Sequence, residues 1–144
     1  SRSLVPTGSI IIETSEPSQV VTHFDCDIYP PLRLIAESIY PTFEEIASIL
    51  DSLQLKITRV DRFFRKAEQY RTVSSALEDS HRLVLDGRGP YSWRMMSLAQ
   101  RREFHRQREI HLPERFPTGL VPRQWPSTII AARVSLVASQ RLEL

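Results

Sequence analysis

The sequence is short of cysteine, glycine and long apolar runs. Its one cysteine, Cys26, excludes an intramolecular disulfide and a cysteine metal cluster, which is typical of a reducing compartment. No apolar run approaches the roughly 20 residues of a membrane-spanning helix. The four glycines form no phosphate-binding loop, dinucleotide fingerprint or nucleophile elbow. We therefore expect an intracellular protein that is neither secreted nor transmembrane, is not an enzyme, and has no cofactor, metal or small-molecule substrate.

Lysine is scarce as well, since seventeen of the nineteen basic residues are arginine. The charge is uneven along the chain. Residues 1–60 hold four basic and eight acidic residues, whereas residues 61–144 hold fifteen and nine. A guanidinium group binds phosphate and carboxylate in two-pronged fashion. The basic C-terminal part therefore favours a polyanionic or protein partner.

The length of 144 residues fits one domain with a substantial hydrophobic core. The order of predicted elements indicates a single α+β domain over residues 1–144, with helices packed against a small and mostly antiparallel sheet. We expect residues 1–8 to form a flexible N-terminal segment. Residues 112–126 are predicted to form an ordered, proline-rich loop.

The first predicted element is a β-hairpin with strands at residues 9–13 and 20–29, where apolar and polar residues alternate. His23, Asp25 and Asp27 then share its outer face. We interpret this face as solvated charges. The alternative is a divalent-metal site, because carboxylate and imidazole groups are suitable ligands.

Two helices are predicted next. Residues 32–40 form a short helix ended by Pro41, and Thr42 with Glu45 forms a capping box that opens the second helix. The apolar spacing predicts the buried stripe of this second helix. Its members are Phe43, Ile46, Ile49, Leu50 and Leu53.

The second half of the chain alternates strands and helices. Residues 53–60 predict a strand, Asp61 caps a helical stretch, and the helix restarts near Thr72. Its inward residues are Val73, Ala76, Leu77 and Val84. Residues 86–90 form a turn, and Ser92 caps a third main helix. That helix buries Trp93, Met96 and Phe104. A final strand is predicted as well. The apolar residues on one of its sides are Ile130, Ala132, Val134, Leu136 and Ala138.

Arginines are concentrated between residues 88 and 115, a segment that contains seven arginines and three glutamates. Phosphate-rich surfaces attract such patches through counterion release. The alternative is an ordinary solvated helix. We predict a polyanion-binding surface formed by Arg88, Arg94, Arg101, Arg102, Arg106, Arg108 and Arg115.

A short motif lies at the start of the first predicted helix. The residues Tyr29, Pro30, Pro31 and Leu32 fit the pattern Tyr-Pro-x-Leu. The motif resembles the late-domain signals by which enveloped viruses recruit host membrane-scission machinery. The alternative is a helix entered through the two prolines, since proline is favoured at helix starts.

A longer pattern begins at Pro113-Glu114-Arg115-Phe116, which ten residues separate from Ser127-Thr128-Ile129 and an alternating strand. Upstream lie a strand, a helix with small residues, and Gly87-Arg88-Gly89-Pro90-Tyr91 leading into another helix. This order resembles the matrix proteins of vesiculovirus-type rhabdoviruses, which carry Pro-Glu-x-Phe, a ten-residue loop and Gly-Thr-Ile, preceded by Gly-Lys-x-Pro-Phe. The resemblance covers residues 53–137.

The resemblance implies a non-enzymatic viral structural protein. Such a protein self-associates and bridges the viral nucleocapsid, or its RNA, to the inner face of an anionic membrane during virion assembly and budding. Its partners would be further copies of itself, the nucleocapsid, the membrane surface and the host budding machinery. The alternative function is a cellular nucleic-acid-binding or protein-interaction module with an arginine-rich surface.

Two aromatic residues are predicted to anchor the proline-rich loop. Phe116 and Trp125 each stand beside a proline, which restricts the backbone and lowers the entropy cost of ordering it. We expect both rings to be largely buried, against the helix around Trp93 and Met96.

Overall fold

The computed structural model of the protein describes residues 8–65, 69–123 and 125–135, apart from the side chains of Phe64, Arg65 and Trp125. The strands are β1 (Ser9–Thr14), β2 (Leu55–Arg65), β3 (Tyr70–Thr72), β4 (Leu120–Pro122) and β5 (Trp125–Val134). The helices are α1 (Pro17–Val20), α2 (Phe24–Ile28), α3 (Pro31–Ile39), α4 (Phe43–Ser52), α5 (Val73–Asp86), α6 (Tyr91–Arg94) and α7 (Leu98–Arg115). The predicted α+β class, with small antiparallel sheets and packed helices, is confirmed.

The chain divides into two compact units. Unit 1 comprises the chain up to Glu16, Pro41–Phe64 and the chain from Pro126 onward, whereas unit 2 comprises Pro17–Tyr40 and Arg65–Trp125. The assignment of residues 1–144 to one domain stays a prediction. The flexible segment predicted for residues 1–8 lies, apart from residue 8, outside the described residues.

Unit 1 is a three-stranded sheet with helix α4. The strand order is β1-β5-β2, and β1 runs antiparallel to β5 from the pair Ser9 and Arg133 to the pair Thr14 and Thr128. Thr42 opens α4 with the predicted capping box, in which both hydrogen bonds to Glu45 measure 3.1 Å. The core cluster of this unit consists of Ile46, Leu50, Ile130 and Ala132.

The buried stripe predicted for α4 is only partly correct. Ile46 and Leu50 are buried and Phe43 packs beside them, but Ile49 and Leu53 are exposed. A short helix on one face of a small sheet covers a narrow stripe, so apolar residues at its margin stay in solvent.

A buried acid connects three segments of unit 1. Glu16 accepts hydrogen bonds from Arg62 Nε at 2.7 Å, from Arg62 Nη2 at 3.1 Å and from the Thr128 hydroxyl at 2.7 Å. The hydrogen bond from Arg62 lowers the pKa of Glu16. The carboxylate therefore links the chain just after β1 to strands β2 and β5.

Unit 2 contains helices α1–α3 and α5–α7 with the two-stranded sheet of β3 and β4. The strands pair antiparallel from Tyr70 and Pro122 to Thr72 and Leu120. Helix α5 begins near Thr72, as predicted; the Thr72 side chain caps it, and Gly87 ends it in the left-handed conformation at φ 68°. One core cluster comprises Cys26, Tyr29, Leu32, Leu83, Trp93, Met96 and Phe104. A second comprises Ile28, Ala76, Leu112 and Val121.

The strand predicted at residues 20–29 is wrong. Strand β1 pairs with β5 near the end of the chain, and residues 20–29 form the end of α1, a turn and α2. His23 caps α2 through its ring nitrogen, which accepts a hydrogen bond from the Asp25 backbone N–H at 3.2 Å. A local cap and the burial of Cys26 and Ile28 thus favour a short helix over the strand that period-two alternation predicted.

Two element boundaries in the second half also differ from the prediction. Asp61 lies inside strand β2 and caps no helix. The cap of the last main helix is Ser97, not Ser92, because its hydroxyl and the Gln100 side chain complete a capping box. Ser92 lies in the separate short helix α6. The expected burial of Trp93, Met96 and Phe104 is confirmed.

The loop predicted at residues 112–126 begins later. Helix α7 continues to Arg115 with Pro113 in its last turn, and β4 follows after a turn. Leu112 is fully buried and its carbonyl accepts a hydrogen bond from the Phe116 backbone N–H at 2.9 Å. The packing of Leu112 thus keeps the last turn helical although proline supplies no N–H there.

The final strand agrees with the prediction over the part that can be compared. Ile130 and Ala132 are buried and Val134 is half-buried, while Leu136 and Ala138 lie outside the described residues. None of the helices in the described part of the chain combines the length and apolar composition needed to span a membrane.

Candidate functional site

Arg108 was predicted to belong to a polyanion-binding surface, and the structure corrects this. Its side chain is 1% exposed, inside unit 2. Its Nε donates to Asp25 Oδ1 at 3.1 Å, and its Nη1 donates to the Ala76 carbonyl at 2.8 Å. The guanidinium carbon lies 4.8 Å from the Trp93 ring centre and 5.5 Å from that of Phe104. Arg108 therefore holds four elements together and is not part of the surface.

One nitrogen of the Arg108 guanidinium has no hydrogen-bond partner among the described residues. Within the described residues, Arg108 Nη2 makes no hydrogen bond, whereas Nε and Nη1 are both used. Burial lowers the pKa of Arg108, and the Asp25 carboxylate opposes that effect. An arginine nevertheless keeps its proton at neutral pH. Unit 2 thus contains a positive charge with one donor still available.

The aspartates predicted on an exposed strand face have separate roles. Asp25 is buried and 4% exposed, as the partner of Arg108. Asp27 is half-exposed and lies 3.4 Å from Arg115 and 3.6 Å from Arg33. The interpretation of Asp25 as a solvated charge is wrong. Among the described residues, no group of three or more His, Cys, Asp or Glu side chains is placed to hold a metal ion.

His23 lies beside this ion pair. Its Nδ1 accepts the hydrogen bond from the Asp25 backbone N–H, so the proton of the neutral ring is on Nε2. Burial lowers the pKa of His23, and the Asp25 carboxylate works against this. The 3.5 Å approach of Nδ1 to Asp25 Oδ2 is therefore not an ion pair at neutral pH. His23 therefore caps α2 as a neutral ring, and its Nε2–H has no hydrogen-bond partner among the described residues.

A cavity of about 630 Å³ opens above Arg108 and Asp25. Five arginines and three aspartates line it, which leaves a net charge of +2 when His23 is neutral. The charged lining residues are Arg71, Arg82, Arg88, Arg108, Arg123, Asp25, Asp79 and Asp86. Apolar side chains from α1, α3, α6 and β4 complete the wall. The cavity combines an apolar wall with a positive charge at its base.

The cysteine of this wall is inert. Cys26 is buried, and burial raises the pKa of its thiol to about 11. The reactive form of a cysteine is the thiolate, which is almost absent at neutral pH when the pKa is so high. Cys26 is therefore a packing residue.

The remaining arginines of the predicted surface lie outside the core. Arg88, Arg94, Arg102, Arg106 and Arg115 are exposed, and Arg101 is half-buried. Arg101 donates to the Arg94 carbonyl at 2.7 Å, which ties α7 to α6. Arg106 binds Glu103 with two hydrogen bonds, at 3.0 and 2.7 Å, which lower the pKa of Glu103 to about 2. These arginines are therefore not equally available to a partner.

Exposed arginines and exposed apolar side chains stand close together in sequence in α6 and at the start of α7. We call this region the α6–α7 surface and define it by Tyr91, Arg94, Met95, Leu98 and Arg102, all of which are exposed. The Arg94 guanidinium lies 5.6 Å from the Tyr91 ring centre. Leu98 and Arg102 are four residues apart on α7 and so share one face. In the described part of the chain, neither Arg94 nor Arg102 has an acidic partner.

The late-domain-like motif is unavailable in this fold. Tyr29 and Leu32 are buried in the cluster around Trp93, whereas Pro30 is exposed and Pro31 begins α3. The alternative interpretation, a helix entered through two prolines, is the one that the structure supports. A partner would have to unfold α3 to read the motif.

The loop anchor Phe116 is half-buried, but not where it was predicted. Its ring makes an edge contact with Phe24 at 5.1 Å between centres, and it packs on the cluster around Leu112 and Val121. The predicted contact with Trp93 and Met96 is wrong, because the continuation of α7 carries Phe116 to another part of unit 2. The side chain of Trp125 lies outside the described residues.

A serine, a histidine and a glutamate form a chain of contacts that resembles a catalytic triad. Ser80 Oγ lies 2.7 Å from His105 Nδ1, and His105 Nε2 lies 3.4 Å from Glu109. Ser80 is fully buried and does not line the cavity described above. A nucleophile must reach its substrate. This arrangement therefore connects α5 to α7 and gives no support to an enzyme.

The Arg108–Asp25 pair is the feature that sequence reasoning missed. The two residues are 83 positions apart, so no local pattern connects them. One signal was present: Arg108 lies four residues after Phe104 and four before Leu112, which are both fully buried. An arginine in the apolar stripe of a helix predicts a buried partner.

The comparison with protein-family models and the comparison with curated proteins find no match to this chain.

Proposed function

We propose that this protein is a non-enzymatic structural protein that attaches to an anionic membrane surface, self-associates and links that surface to a ribonucleoprotein. The observation that carries the proposal is the α6–α7 surface, where exposed apolar side chains accompany two arginines that have no acidic partner among the described residues. The resemblance of residues 53–137 to rhabdovirus matrix proteins supports the same function. Attachment to the ribonucleoprotein rests on that resemblance alone.

The mixture of side chains favours a membrane over a polyanion in solution. Tyr91, Met95 and Leu98 can enter the interfacial region, where a tyrosine ring has both an apolar and a polar environment. Arg94 and Arg102 would then meet lipid phosphates. Each basic residue near an anionic leaflet contributes about 1 kcal/mol, which a simple arginine patch provides as well. The apolar side chains add binding energy from insertion into the membrane interface, which a surface that binds RNA phosphates does not require.

Self-association has a separate support in unit 1. Strand β1 is the first in the order β1-β5-β2, so one of its sides has no neighbour within that described sheet. Ile11 is 71% exposed on this strand, and Ile10 is exposed as well. An apolar edge strand tends to pair with another chain. We assign self-association to this edge.

Sedimentation with vesicles tests the membrane proposal. The full chain should bind vesicles that contain phosphatidylserine and should bind vesicles of phosphatidylcholine much more weakly. Raising the salt from roughly 50 to 200 mM should weaken binding, because the Debye length shortens over this range. Arg102→Glu should weaken binding roughly tenfold or more, and Leu98→Ser should weaken it several-fold.

Matched variants keep the test specific. Arg133→Glu changes the net charge as Arg102→Glu does but lies on β5, and Ile49→Ser replaces an exposed apolar residue on α4. Both should bind vesicles like the parent. Equal losses in Arg102→Glu and Arg133→Glu would contradict the proposal. Binding of single-stranded RNA without binding of vesicles would favour the alternative nucleic-acid module.

A further inference from the structure

We propose that the cavity of unit 2 is a binding site for a monomeric amphipathic anion, a molecule with one carboxylate or phosphate group on an apolar body. The anionic group would lie between Arg108 and Arg123, and the apolar body would lie along the wall formed by Trp93 and its neighbours. This site is independent of the proposed membrane attachment, which uses the outer side of α6.

The base of the cavity supplies the polar recognition. Arg108 is almost completely buried, and its Nη2 is the nitrogen that neither Asp25 nor the Ala76 carbonyl uses. Arg108 lines the cavity, so a ligand oxygen there would accept a hydrogen bond from Nη2 in surroundings of low polarity, where such a bond is stronger than at the surface. His23 Nε2–H is a second donor on the same wall, without a hydrogen-bond partner among the described residues.

The rim supplies the remaining positive charge. Arg71 is paired with Asp79, and Arg82 with Glu78. Arg88 and Arg123 are exposed and have no acidic partner in the part of the chain that the structure describes. Asp86, an exposed carboxylate, lines the same cavity, so the net charge of the lining is +2, which favours a carboxylate or a single phosphate over a highly charged anion.

The wall is apolar and suits a hydrocarbon body. It is formed by Val20, Phe24, Leu32, Ala36, Trp93 and Val121. The volume of about 630 Å³ lies inside the range of about 300–1,000 Å³ that is usual for small-molecule sites. A cavity with apolar walls and few, well-placed polar groups is the usual form of such a site. A ten-carbon chain with one anionic group is a suitable probe.

Calorimetric titration of the full chain with decanoate, decyl phosphate and decan-1-ol tests the site. Decanoate or decyl phosphate should bind with one molecule per chain, and the tighter of the two identifies the anionic group. Decan-1-ol has the same chain without the charge and should bind at least tenfold more weakly. If neither anion binds, or if the alcohol binds equally well, the proposal is wrong.

Trp93 provides an independent measure of location. In a Trp125→Phe background, Trp93 is the remaining tryptophan of the sequence. A decanoate brominated at its chain end should quench its fluorescence, because a bromine atom quenches only at close range. Binding without quenching would place the probe elsewhere and contradict the proposal.

Two exposed arginines distinguish this site from the membrane surface. Arg123→Gln should weaken binding of the anionic probe at least threefold and leave vesicle binding unchanged, whereas Arg102→Gln should do the reverse. Neither residue is part of the core, so both variants should fold. Failure of the decanoate experiment alone leaves the membrane proposal in place, and failure of the vesicle experiment alone leaves the cavity proposal in place. Equal effects of the two variants on decanoate binding would overturn the cavity proposal.

Discussion

Replacement of Arg108 by methionine keeps a long side chain in the core of unit 2 but leaves the Asp25 carboxylate without its partner. Both side chains are almost fully buried, so the carboxylate has little contact with water in place of its partner. The variant also removes the hydrogen bond to the Ala76 carbonyl. The main effect should therefore be a buried, uncompensated negative charge.

The expected loss of stability is large. Breaking a buried ion pair by removal of one partner typically costs about 3–5 kcal/mol. The free energy of unfolding of a small domain is only about 5–15 kcal/mol. Arg108→Met should therefore shift the midpoint of urea unfolding strongly towards lower urea concentration, measured by circular dichroism. Arg106→Met on the same helix should scarcely change it, because the pair of Arg106 with Glu103 is exposed.

A double-mutant cycle with Asp25→Asn separates the ion pair from general packing. The neutral amide removes the charge that Arg108→Met would leave behind. The double variant should therefore be more stable than the sum of the two single losses predicts, by about 2–3 kcal/mol. A loss below about 1 kcal/mol in Arg108→Met, or simple addition of the two losses, would refute the reasoning.

Three further predictions concern single positions. Burial lowers the pKa of His23 below its usual 6.5, so the unfolded chain takes up the proton first and stability falls as the pH drops below about 6.5. His23→Asn keeps a helix cap and should reduce the difference between the melting temperatures at pH 7.5 and 5.5; an unchanged difference would assign it to other groups. Phe116→Ala should cost about 2 kcal/mol in urea unfolding and impair assembly, whereas Arg115→Ala should spare stability; equal midpoints would contradict this. Gly87→Ala should destabilise the chain by about 1–2 kcal/mol, because φ is 68° and the new methyl group meets a guanidinium nitrogen at 3.2 Å. Gly119→Ala has similar strain but no such contact, and should cost less.

The sequence was sufficient to predict helix starts that depend on hydrogen bonds between neighbouring residues. The capping box of Thr42 and Glu45, the cap at Thr72 and the left-handed Gly87 each depend on residues a few positions apart. The hydrogen bonds of a helix cap join groups that are two or three residues apart, so their signal is visible in the sequence. The predicted capping box at Thr42 and the predicted helix start near Thr72 are therefore confirmed.

The sequence pattern predicted the wrong element where burial in the core favours a different one. Residues 20–29 alternate like a strand, yet a ring nitrogen at His23 caps a helix, and tertiary burial decides between them. At Pro113 the missing N–H predicted the end of a helix, but the burial of Leu112 keeps the turn. Propensity differs by only about 1 kcal/mol between such alternatives, so packing overrides it.

The sequence by itself determined the α+β class, the positions of several helix starts and the concentration of arginine between residues 88 and 115, since these follow from composition and short-range periodicity. Only the tertiary structure decided what the arginines do. Arg108 is buried against Asp25, 83 positions away, Arg115 lies 3.4 Å from Asp27, and Arg94 and Arg102 stay exposed. The physical reason is that charge is a property of each residue, whereas burial and pairing depend on which residues the fold brings together from distant parts of the chain.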